Sequence, residues 1–150
     1  MADLISTDHP LTTAQQRVLS AVLETLVPAG HDGRLPSAAE VGFADYLLAQ
    51  AEDFIPDVAE TLEQLDERFA TLAAPDRTAA LTAYSNASPQ AFQQLLARVY
   101  DCYYQDDRVR SAIGMLSGAP FPQGNTIPAG DLSLLDPVVA DEARHRYRET

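Results

Sequence analysis

Apolar and polar positions alternate with a helical period along most of this chain, and the period breaks at prolines and glycines. In "LTTAQQRVLSAVLETLVP" (11–28), Val18, Leu19, Val22, Leu23 and Leu26 recur at the spacing that lines one side of a helix. Thr12 with Gln15, or Thr13 with Gln16, supplies a capping box for its start. Pro28 ends it, and "PAGHDGRLP" (28–36) reads as a loop. Pro36 and the box Ser37-Ala-Ala-Glu40 open a second helix that buries Val41, Phe43, Tyr46 and Leu47.

The third helix has the clearest period. Val58, Leu62, Leu65, Phe69 and Leu72 alternate steps of four and three, which predicts one continuous apolar stripe. Asp57, Glu60, Glu63 and Glu67 fall mostly off it, as a solvated face should. Pro75 opens a fourth helix carrying Leu81 and Tyr84. Ser88-Pro89 starts a fifth, which runs to about residue 104 with Phe92, Leu95, Leu96, Val99 and Tyr103 inward. "DDRVRSAIGM" (106–115) suits one more short helix ending near Gly114.

Beyond that point the pattern changes. From Gly114 to Pro137 there are four glycines and four prolines and no strand alternation. The reading is an irregular Gly/Pro-rich arm followed by a short helix from about Leu134 to Tyr147. The expected fold is therefore all-α, a single helical domain over 1–150 built as a bundle of about five to seven helices. It divides into a flexible N-terminus (1–10), a helical core (11–112), and the arm with its final helix (113–150).

Composition narrows what such a bundle can do. The chain has 150 residues, enough for one domain with a real core, and 46% of them are apolar. No apolar run is long enough to span a membrane. The net charge of −12 argues against nucleic acid and anionic membrane as partners. A single cysteine, Cys102, forbids an internal disulfide and fits a reducing compartment. The opening "MADLISTDHPLTT" shows no export signal, so a cytoplasmic location is expected. All ten basic residues are arginine, which fits a GC-rich coding bias and also suits interface ion pairs.

The candidate chemistry is sparse. Gly114, Gly118 and Gly124 do not make a dinucleotide fingerprint, and without lysine there is no phosphate-binding P-loop. Glu142-Ala-Arg-His145 is one Glu-x-x-His unit, but a di-iron bundle needs two, and His145 lies among Arg144, Arg146 and Arg148. His31-Asp32 is half of an acid–base pair with no nucleophile beside it in sequence. Cys102 reads as a buried structural thiol. Asn86-Ala-Ser88 matches a glycosylation acceptor with nothing else pointing to the secretory pathway.

The stretch "YYQDDRVRSAIGMLSGAPFPQG" (103–124) is better suited to contact than to catalysis. Tyr103 and Tyr104 are adjacent and cannot share one helix face, so one points inward and the other toward a neighbour. Tyrosine and arginine are favoured in binding hot spots, which singles out Tyr103, Tyr104, Arg108 and Arg146. Phe121, between two prolines, is an aromatic anchor on the arm or a cap on the bundle's own core.

Taken in order, "LTTAQQRVLSAVLETLVPAG", "LPSAAEVGFADYL", "YYQDDRVRSAIG" and the closing "LSLLDPVVADEARHRYRE" resemble the gluconate 2-dehydrogenase subunit 3 family. The likeness runs from about Leu11 to Arg148 and rests on patterns of small and apolar residues. It implies a helical, non-catalytic companion with no cofactor of its own. The flavin (FAD) and the catalytic groups would belong to a large dehydrogenase of the glucose–methanol–choline type, acting on a sugar, glucoside or sugar acid. Many such companions carry a twin-arginine export signal. This N-terminus lacks one, so the pair stays in the cytoplasm, or the partner carries the signal and the pair is periplasmic. Two other readings remain open: a stand-alone helical adaptor or regulator, and a small enzyme using His31 and Asp32, with Cys102 in support.

Overall fold

The computed structural model describes residues 9–115 and Ser133. The chain divides into two compact units, Met1–Gly118 and Ala119–Thr150, and every α-helix among the described residues belongs to the first. Among the described residues the regular structure is all helical: α1 (Thr13–Leu26), α2 (Phe43–Gln50), α3 (Ile55–Leu65), α4 (Ala74–Ala87), α5 (Pro89–Gln105) and α6 (Asp107–Ala112). Short 3-10 turns at Ala38–Glu40, Glu52–Phe54 and Glu67–Thr71 join them. The all-α expectation stands. Most of the expected arm and the helix at 134–147 lie outside the described residues.

Each start has a local cause. Thr12 caps α1: its hydroxyl accepts from the Gln15 N–H at 3.2 Å, and the Gln15 side chain accepts from the Thr12 N–H at 2.9 Å. Helices α3, α4 and α5 each carry proline in the first turn, where a missing N–H costs nothing. Ser88 stands at the N-cap of α5 without a side-chain cap bond, so Pro89 rather than the serine marks that start.

Two expectations need correction. The second helix does not begin at Ser37. The Ser37–Glu40 capping box closes only a 3-10 turn, which ends at Val41. Gly42 then takes a left-handed conformation (φ 72°), and α2 begins at Phe43. Val41 is accordingly only half-buried, whereas Phe43, Tyr46 and Leu47 are buried as expected. The third helix does not run through to Leu72. It stops at Leu65, because Asp66 adopts φ 65°, ψ 153°, outside the helical region. The Asp66 carboxylate accepts from the Arg68 N–H at 3.0 Å and starts the next 3-10 turn. Phe69 still reaches the core from that turn, while Leu65 and Leu72 remain half-buried.

Helix α1 is the central strut. It packs against α3, α4 and two of the 3-10 turns. Its Val18, Leu19, Val22 and Leu23 meet Leu47, Val58, Leu62, Phe69, Leu95 and Val99 in one apolar cluster. Burying side chains of this size contributes roughly 1.5–3 kcal/mol each. Helix α5 lies against α2, α3 and α4 through Leu95, Val99, Cys102 and Tyr103.

Candidate functional site

The corner between α5 and α6 gathers the residues that the sequence singles out, and it gives them different work. Tyr103 is buried, and its hydroxyl donates to the Pro36 carbonyl at 2.9 Å. Burial, then the neighbouring Tyr104, Asp106 and Glu40, pushes its phenol up from the ordinary range. Tyr104 is 54% exposed, and its ring stands edge-on against Tyr103 with centroids 5.5 Å apart. Tyr100, one turn earlier, is 42% exposed and lies 6.1 Å from Tyr104. The pair therefore divides as expected, one tyrosine inward and one outward.

Arg108 is exposed but engaged. Its guanidinium forks onto Asp106, with Nε to Oδ1 at 3.1 Å and Nη2 to Oδ2 at 2.9 Å. Nη2 also donates to the Glu40 carbonyl at 2.7 Å, tying α6 to the turn before α2. Asp106 caps α6 by accepting from the Arg108 N–H at 2.8 Å and from the Val109 N–H. The Arg108 side chain holds the Asp106 carboxyl below its usual range. Glu40 is lowered in the same sense, chiefly by the Ser37 N–H that its carboxylate accepts at 2.7 Å. The sequence pattern does not single out Asp106 and Glu40 as partners for Arg108. An aspartate just before a short helical run, two residues from an arginine, is the available signal for the first; nothing local pairs Arg108 with residue 40.

The candidates for catalysis lie apart from this corner or are muted within it. Cys102 is buried, its Sγ 3.7 Å from the Val41 carbonyl, and burial pushes its thiol up to about 11. His31 and Asp32 are exposed in the loop after α1, where the Asp32 carboxylate accepts from the Arg34 N–H at 3.1 Å. A concavity of about 480 Å³ between α1 and α3 collects Glu63, Asp66 and Glu67. No cluster of three or more His, Cys, Asp or Glu able to hold a metal occurs among the described residues. Phe121, Arg146 and the Glu142–His145 pair lie outside the described residues.

The chemistry on display at this corner is that of contact groups. The corner presents two aromatic rings, a hydroxyl on each, and polar groups already organised by intramolecular bonds. Comparison with protein-family models, with curated proteins and with solved structures finds no match.

Proposed function

We propose that this chain is a non-catalytic small subunit that binds and stabilises a large FAD-dependent dehydrogenase of the glucose–methanol–choline type. The oxidation of a sugar, glucoside or sugar acid would take place in that partner. The observation that carries the reading is the surface-exposed tyrosine pair, Tyr100 and Tyr104, set on a helix whose inner side is locked into the core. Exposed aromatics on a rigid support are the usual anchors of protein contacts. The order of small and apolar segments along the chain supplies the kind of partner.

Binding only the folded form of the large subunit would stabilise it by mass action. A permanent contact of this sort buries roughly 2,000 Å² or more. The test is co-expression with a neighbouring large flavoprotein gene, followed by size-exclusion with absorbance read at the flavin bands. The chain should co-elute with a yellow protein. Elution alone and colourless contradicts the reading.

A further inference from the structure

We infer that the outer face of α5 made by Ala97, Tyr100, Asp101 and Tyr104 is a seat for a basic segment of a protein partner. One arginine or lysine of that segment lies against the tyrosine rings and pairs with Asp101. The four residues are spaced so that they are neighbours on one helix face, and all four are exposed.

The aromatic part is organised before any partner arrives. Tyr104 leans edge-on against Tyr103, and Tyr103 is buried and fixed to the Pro36 carbonyl. A ring held in this way loses little freedom on binding.

The charges around the seat choose the occupant. The arginines nearby in sequence are already used: Arg98 lies over the Phe54 ring at 5.7 Å, Arg108 forks onto Asp106, and Arg110 faces Asp107 at 3.8 Å. Asp101 has no such partner among the described residues. What α5 offers outward is thus a carboxylate without an ion-pair partner among the described residues, on the same face as two exposed tyrosines, the complement of a guanidinium or ammonium group. The chain's net charge of −12 steers a basic segment toward it and opposes a second copy of the same chain.

The inference rests on the companion reading only for which protein brings the basic segment. The experiment separates the two. The full chain is co-expressed with the large flavoprotein as wild type, Asp101→Asn, Tyr104→Ala, and a control at an exposed position of another helix, Asn86→Ala on α4. Unchanged circular dichroism and Tm establish that these exposed variants fold. Each of the first two variants should weaken the complex roughly tenfold or more, Asp101→Asn should also flatten its salt dependence, and the control should not change it. A complex undiminished by Asp101→Asn and Tyr104→Ala overturns the seat and leaves the companion reading standing. If the wild type binds no flavoprotein, the companion reading fails. The seat is then judged by an NMR titration with a synthetic helical peptide bearing leucines on one face and arginines on the other. Shifts confined to α5 and abolished by Asp101→Asn support it. An unmoved α5, or self-association of the chain through this face, overturns it.

Discussion

The hydroxyl of Tyr103 donates to the carbonyl of Pro36 at 2.9 Å, joining positions 67 residues apart. The Arg108 guanidinium makes a second tie, to the Glu40 carbonyl, at 2.7 Å. Together they fasten the α5–α6 corner to the segment that leads into α2. That fastening keeps Tyr104 and Tyr100 in place on the surface.

Tyr103→Phe keeps the ring and deletes the bond to Pro36. Unfolding in urea should show a loss of about 1 kcal/mol. Tyr103→Ala also empties a buried site and should lose about 3–5 kcal/mol. If both variants match the wild type, the corner is not held as described.

Asp66 has a backbone conformation (φ 65°, ψ 153°) that suits glycine far better than a residue with a Cβ. Asp66→Gly forfeits the bond to the Arg68 N–H, but glycine at a cap position gives up only a few tenths of a kcal/mol. The released strain is larger, so the variant should gain about 1 kcal/mol, seen as a higher urea midpoint. A clear loss would mean that the cap outweighs the strain.

Acid should loosen the corner. Asp106 and Glu40 both titrate below the ordinary carboxylate range in the folded chain. A group whose folded pKa is depressed contributes stability above its unfolded pKa, and that contribution is lost as pH falls through the folded value. The loss begins near about pH 4, where unfolded carboxylates take up protons. Thermal unfolding across this range should fall less steeply in Asp106→Asn and Glu40→Gln than in the wild type.

Cys102 should resist thiol reagents while the chain is folded. Burial, with a smaller contribution from Asp106, raises its thiol from 9.0 to about 11. Labelling with a disulfide reagent at about pH 8 should be slow in buffer and fast in denaturing urea, because only the thiolate reacts. The linkage has the opposite sign to that of the carboxylates: stability held below the unfolded thiol's pKa is lost as pH rises between about 9 and about 11.

Much of the fold is written in local pattern. The starts at Thr12, Pro75 and Pro89 follow from capping and proline chemistry, and the split between Tyr103 and Tyr104 follows from helical geometry alone. The two errors share a cause. A periodic apolar row continues past Leu65 and a capping box stands at Ser37, yet single backbone conformations at Asp66 and Gly42 end one helix and delay another. Periodicity records which side chains face the core, and a turn between two short elements can preserve that record. The site was legible only as a set of residue types. That Arg108 answers to Asp106 and Glu40, and Tyr103 to Pro36, depends on long-range placement. Such placement has no local signature.

We propose that this chain supports a flavin enzyme without performing its chemistry. The measurement is the dehydrogenase activity and thermal inactivation of the large flavoprotein, purified with and without this chain. Higher recovered activity and a higher inactivation temperature in its presence, with no turnover by the chain alone, are the expected result. A flavoprotein that folds, turns over and withstands heat equally well in its absence contradicts the supporting role.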